Sequence, residues 1–349
     1  MIVRFICISK ASAKVSSIST PFTSTIFHQQ LRVTNAVFFL FRRACWEALS
    51  KPSKRYGFES GKKMAITMSL KEELDLPVEA EAITPGTMAG KKLAGIRMLD
   101  VFQGNQTYPL KEFFTIKGRS GRTADKTQVI LEGDLRKVKR IGQAMNGGKI
   151  TIEGNAGMYL GAEMVAGRIH VKGSVGSWTA AEMKGGNIQI EGDAGDYLCA
   201  GYRGSWDGMT GGRVYVRGSV GREMASHMRR GFIAVKGGVG SPAAVRMMGG
   251  TIIVLGDMGD RIGIQATRGM IFCLGVVGSI LPTYRFSGTS ERAFINYYLR
   301  YLRARRPDFF QESIESTERW MKFLGDFAED DTWSEIYVRE SANRHLLPR

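Results

Sequence analysis

Cysteine and histidine are scarce in this chain. Its 349 residues hold four cysteines, Cys7, Cys45, Cys199 and Cys273, with no CxxC pair, and four histidines, His28, His170, His227 and His345. Such scatter excludes a disulfide framework or a structural zinc site, and it suits a reducing cytoplasm. Carboxylates do not concentrate anywhere, and no Ser/His/Asp constellation is evident. The apolar run at residues 36 to 46 is too short to span a bilayer. Acid is nearly missing from residues 1 to 63, where 11 Lys/Arg face 2 Asp/Glu, so most of the net charge of +16 sits there. The remainder is mildly basic with both signs mixed, which argues against a nucleic-acid partner.

What the chain has in abundance is repetition. Between residues 129 and 278 one phrase recurs, with central glycines at Gly133, Gly154, Gly173, Gly192, Gly218, Gly237, Gly256 and Gly275. The intervals are 21, 19, 19, 26, 19, 19 and 19 residues, a fixed period with two insertions. Apolar, mostly β-branched residues stand two and four places before each glycine, as Ile150 and Ile152, Ile169 and Val171, or Val214 and Val216. That alternation predicts a strand with one inward face. Glu132, Glu153, Lys172, Glu191, Arg217 and Lys236, one place before the glycine, point outward as a ladder of mixed sign.

Each strand ends in Gly-x-x-Gly: Gly154/Gly157, Gly173/Gly176, Gly192/Gly195, Gly218/Gly221, Gly237/Gly240 and Gly256/Gly259. These read as structural turns, corners where the backbone bends and often takes positive φ. GDMGDRIG imitates a dinucleotide fingerprint, but the same glycines recur in every repeat without a βαβ unit. A further column, Met145, Met164, Met183, Met209, Met228 and Met247, with Ala266 in seventh place, reads as a filled core ladder above small residues at Gly142, Gly161, Ala180, Ala225 and Ala244.

A 19-residue unit is too short for a strand plus crossover helix. The expected fold is all-β, a right-handed parallel β-helix, a solenoid of about seven coils by the repeat count, with a mixed N-terminal cap and a helical C-terminal tail. Residues 1–63 read as a mis-assigned start rather than an organelle leader, 64–128 as the cap, 129–285 as the repeat and 286–349 as the tail. In the tail, Ser290 to Arg305 reads as a helix that covers apolar outer positions on the last coils (Phe232, Ile253, Leu255, Phe272, Leu274). Gln311 to Ala328 reads as a second helix, and WSEIYVRE as an edge strand. The 26-residue interval projects a loop whose Tyr202, Arg203, Trp206 and Asp207 are interface candidates.

The pattern xIxVxGxxGxxxxxxMxxG resembles the GXGXG domain family, which includes the C-terminal domain of the glutamate synthase large subunit and the C subunit of formylmethanofuran dehydrogenase. The lead-in VEAEAITPGTMAGKKLAGI and the following VFQGNQTYPLKEFFTIKG are similar to the N-terminal region of that C subunit. The resemblance implies a non-catalytic scaffold in a one-carbon complex that handles a formyl group on methanofuran or methylofuran. In the dehydrogenase form the complex carries molybdenum or tungsten pterin and iron-sulfur centres on its other subunits. In the bacterial formyltransferase/hydrolase form it carries metals such as zinc in an amidohydrolase subunit. The resemblance puts no catalytic residue, metal or cofactor on this chain, and no membrane contact. A stand-alone carbohydrate-active β-helix is the alternative.

Overall fold

Branched side chains at alternate positions pack well on a pleated surface, and every repeat of this chain supplies such a block. The computed structural model describes residues 65–291, 293–306 and 318–348, all within the unit Lys62–Arg349. Residues 1–63 and the opening of the second expected tail helix therefore lie outside the described residues.

The chain is mostly β, with few helices. Ahead of the regular repeats come β1 (Ala65–Leu70), β2 (Val78–Glu79), β3 (Asp100–Gln103), β4 (Gln106–Pro109), β5 (Phe114–Gly118), β6 (Gln128–Glu132) and β7 (Val138–Lys139). The repeats give β8 (Asn146–Ile152), β9 (Ala166–Val171), β10 (Asn187–Ile190), β11 (Arg213–Val216), β12 (Phe232–Val235), β13 (Met248–Val254) and β14 (Arg268–Cys273). The tail adds β15 (Arg285–Glu291), a helix at Ala293–Arg305, β16 (Arg319–Gly325) and β17 (Trp333–Arg339).

Among the described residues one 13-stranded sheet runs in the order β15-β16-β17-β14-β13-β12-β11-β10-β9-β8-β6-β1-β5. From β6 to β14 the repeat strands pair in parallel, and equivalent residues sit side by side: Ile150 by Ile169, Ile169 by Ile188, Ile188 by Val214, Val214 by Ile233. A second line of parallel bridges joins Leu135, Ala156, Val175, Ala194, Val220, Val239, Met258 and Val277. Both columns are buried, as are the six methionines. A polar side chain after most central glycines ties the repeats again: Asn155 accepts from the Ser174 amide at 2.9 Å, Ser174 from Asp193 at 3.0 Å, and Asp193 from Ser219 at 2.7 Å.

The corner glycines depart from expectation in two ways. First, only the leading member of each pair, Gly154, Gly173, Gly192, Gly218, Gly237 or Gly256, lies in a bend. The closing members, Gly157, Gly176, Gly195, Gly221, Gly240 and Gly259, are not in turns: each follows a bridge residue directly, and the chain bends or turns only from the residue after it. They extend the second ladder instead. Gly176 N–H donates to Ala156 of the preceding repeat at 3.1 Å, Gly195 to Val175 at 3.1 Å, Gly221 to Ala194 at 3.0 Å and Gly240 to Val220 at 3.0 Å.

Second, none of these twelve glycines has positive φ. Their constraint is proximity between repeats. A β-carbon on Gly173 would lie 2.7 Å from the carbonyl oxygen of Gly154, and one on Gly256 would lie 2.6 Å from that of Gly237. Among the closing glycines, a β-carbon on Gly176 would meet the Met158 amide nitrogen at 2.8 Å, and one on Gly195 that of Ser177 at 2.7 Å. On Gly221 it would stand 3.0 Å from the Gly195 carbonyl carbon, and on Gly240 3.1 Å from that of Gly221. Positive φ appears in another set, Gly167, Gly186, Gly212, Gly231, Gly250 and Gly269. There a β-carbon would meet the terminal methyl of a methionine from the preceding repeat, at 2.7 Å for Met164 over Gly186.

Both ends of the stack are closed by added strands, which keeps the terminal repeats from presenting bare edges. β1 lies parallel to β6, and β5 lies antiparallel on β1. β2, β3, β4 and β7 form a separate four-stranded sheet, with the hairpin turn at Gly104 and Asn105. At the other end the tail departs from the expected two helices. The first is present and carries Ile295, Leu299 and Leu302 into a cluster with Tyr215, Ala234, Ile253, Phe272 and Leu274. The second expected helix, Gln311 to Ala328, is overturned by the strand Arg319–Gly325. Its apolar residues serve two faces: Trp320 is fully buried in the helix-covered cluster, while Met321 and Phe323 join the main core. Helical spacing would bring them to one side, so packing on two sides selects the extended form. WSEIYVRE is a strand but not an edge, because β17 runs parallel to β14 and antiparallel to β16.

Candidate functional site

After each closing glycine the chain places left-handed residues at alternate positions. Tyr159, Gly161 and Glu163 have φ of 61°, 61° and 58°, and Trp178, Ala180 and Glu182 have 62°, 57° and 50°. A non-glycine residue in this region costs about 1–2 kcal/mol. Hydrogen bonds in both directions along the stack hold it there: Tyr159 N–H donates to Ser177 of the next repeat, Gly161 to Ile141 of the previous one, and Glu163 to Ala181 of the next. The middle residue of each trio is buried. The outer two stand partly exposed, one above another, along one side of the molecule.

Two columns of side chains result. In the first, the Arg140 guanidinium lies 4.8 Å from the Tyr159 ring centre, Tyr159 stacks on Trp178 at 6.3 Å, and Trp178 stacks on Tyr197 at 4.3 Å and 5°. Tyr197 hydroxyl then reaches Glu223 at 3.4 Å. In the second, Gln143 donates to Glu163 at 3.3 Å, Glu182 follows, and beyond the insertion come His227, Arg246 and Gln265. Arg246 donates to Gln265 at 2.8 Å, and Gln265 to Glu329 at 2.9 Å.

The inserted loop crosses both columns. Tyr202 turns back onto Trp178 and Tyr159, at 5.8 and 6.1 Å, and its amide donates to Glu182 at 3.2 Å. Trp206 turns the other way, edge-on to His227 at 5.9 Å and with the Arg246 guanidinium 5.6 Å from its ring. Asp207 pairs with Arg229, and Arg203 is exposed. Thus the four loop residues that the interval singles out share one segment but serve two directions. Their neighbours Tyr159, Trp178, Tyr197, His227 and Arg246 escape the sequence reading. A signal for them exists, since Tyr159, Trp178 and Tyr197 each stand two places after a closing glycine, Gly157, Gly176 and Gly195.

Between loop and columns lies a cleft of about 260 Å³ lined by Trp178, Tyr197, Tyr202, Arg203, Glu223 and His227. Burial, with the charge of Glu163 added, pushes the Tyr202 hydroxyl up to about 12. Burial and then the neighbouring Arg246 hold His227 below the ordinary histidine range, against the pull of Glu223. Both shifts favour the neutral form near pH 7. Among the described residues no three His, Cys, Asp or Glu side chains gather as a metal site, and none of the helices could cross a membrane. This face offers aromatic contacts and ion pairs.

The chain is similar over 114 residues, at 42% identity, to the C subunit of the molybdenum-containing formylmethanofuran dehydrogenase 1 of Methanosarcina barkeri. It is 38% identical over 97 residues to the C subunit of the tungsten-containing formylmethanofuran dehydrogenase 2 of Methanothermobacter thermautotrophicus. The chain is a relative of these C subunits. The matched segments take in 33% and 28% of this chain and span 38% and 36% of those two relatives. No protein-family model matches. In structure the chain resembles one chain of the formyltransferase/hydrolase complex FhcABCD from Methylorubrum extorquens, solved by crystallography with methylofuran. That likeness has a TM-score of 0.70 at 29% identity, covering 78% of this chain and 99% of the other.

Proposed function

We propose that this chain is a right-handed parallel β-helix serving as the non-catalytic C subunit of a formyltransferase/hydrolase-type complex, cytoplasmic and acting in one-carbon metabolism. The likeness that covers 99% of a chain of FhcABCD carries this reading, because it extends well beyond the segment shared with the dehydrogenase relatives. The unbroken parallel ladder with its second line of bridges supports the β-helix. The formyl group would rest on methylofuran or methanofuran, and the metals and the reacting residues would lie on the partner subunits.

A dehydrogenase-type complex is the second reading, favoured by the 42% identity to a molybdenum-containing relative. Purification of the full chain, tagged at its C-terminus, from its own cells separates the two. Co-purifying formyltransferase and amidohydrolase subunits with zinc would support the first. A molybdopterin oxidoreductase partner with molybdenum or tungsten would support the second. Recovery of the chain alone would overturn both and leave the independent carbohydrate-active β-helix.

A further inference from the structure

Along the second column charge changes sign across the inserted loop, from Glu163 and Glu182 to Arg246, while the first column has Arg140 before the loop and Glu223 beyond it. On the side toward β8, Arg140 lies 3.4 and 3.5 Å from Glu79 and Glu81, with Glu163 and Glu182 on the neighbouring column. The inserted loop itself carries Arg203 and Asp207, and past it stand Arg229, Arg230 and Arg246, all exposed. At the junction the Trp206 side chain is 64% exposed.

This indole stands on a fastened loop. The loop is fastened by Gly201 N–H to Ser226, Tyr202 N–H to Glu182, Gly208 N–H to His227 and the Asp207 pair with Arg229. His227 and Arg246 contact the ring itself. An exposed tryptophan on a fastened loop, with one arginine against its ring, is the composition of an interface anchor, where less ordering entropy remains to be lost on binding.

We infer that the 201–208 loop docks a neighbouring protein subunit whose surface offers an apolar socket for Trp206, carboxylates opposite Arg203 and Arg246, and cations opposite Glu163 and Glu182. The inference rests on the proposed role within a complex. A continuous polyanion fits less well, since the same columns carry Glu163, Glu182 and Glu223 beside the arginines.

The test uses the full chain and the remaining subunits of its own complex. Trp206→Ala should weaken assembly roughly thirtyfold, and the double variant R203E/R246E should weaken it comparably and flatten its salt dependence. Thermal unfolding of the free chain should shift little for Arg203→Glu, which is exposed, and that variant keeps the test valid if the loss of the Trp206 or Arg246 contacts destabilises the others. A photo-crosslinker at position 206 should mark one subunit within an Asp/Glu-bearing segment, while one at Lys172, on the strand face, should not mark that segment. Wild-type assembly by all variants, or crosslinking from position 206 to nucleic acid, would overturn the docking site and leave the proposed role in the complex standing. A chain that purifies alone would overturn both.

Discussion

The terminal methyl of Met164 lies 2.7 Å from the point where a β-carbon on Gly186 would be, in the following repeat. Gly186 also has φ of +91°, so two constraints meet there. Gly186→Ala should cost about 3 kcal/mol, from left-handed strain and overpacking together. Gly204→Ala, at φ +87° with open space around it, should cost only about 1–2 kcal/mol. Urea unfolding of the two variants checks the difference.

Met164→Ala should itself cost about 2–5 kcal/mol by leaving a cavity. Combined with Gly186→Ala it should cost less than the sum of the two, by about 1–2 kcal/mol, because the lost methyl makes room for the new one. A double-mutant cycle measures that coupling, and strict additivity would refute the packing described.

Trp320→Ala should cost about 3–5 kcal/mol, since this side chain is fully buried in the cluster beneath the helix Ala293–Arg305. Hydrogen exchange should quicken across 293–305 well before it does in β9 and β10. Equal protection in mutant and wild type would mean that the helix does not depend on this contact.

His227 should titrate below about 6.5, the ordinary histidine value. The unfolded chain then takes up a proton that the folded chain resists. Stability from this residue is complete above that pH and is lost as pH falls through the folded value. Arg246→Gln should raise the His227 pKa toward the ordinary value, as read from the ring proton shifts by NMR. An unmoved titration would show that Arg246 is not felt there.

Much of the repeat is legible because its side chains obey one period. The apolar pairs such as Ile169 and Val171, and the methionine column, read as inward-facing from spacing alone. The Gly-x-x-Gly pairs stand where the period puts them, but for a reason that no local pattern carries. Gly173 is confined by the backbone of Gly154, and Gly176 by that of Met158, so the demand for glycine comes from a neighbouring repeat. For the same cause Gly195, Gly221 and Gly240 look like turns in one repeat taken alone and prove to be ladder positions once repeats are stacked. Arg319–Gly325 misleads in a related way: Trp320 and Met321 are both apolar, and only the presence of a helix on one side and the core on the other separates them. The loop is located by its interval, but the second column it crosses is not, since Glu182, His227 and Arg246 differ in residue type and share a backbone geometry rather than a chemistry.

The most direct test of the proposed role is a formyl-hydrolysis assay on the methylofuran-bound substrate, run with the chain alone, with the other subunits alone and with both combined. The account predicts no turnover by the chain alone, reduced turnover and a smaller particle without it, and recovery of both on adding it back. Turnover by the isolated chain, or a complete and fully active complex lacking it, would contradict the account.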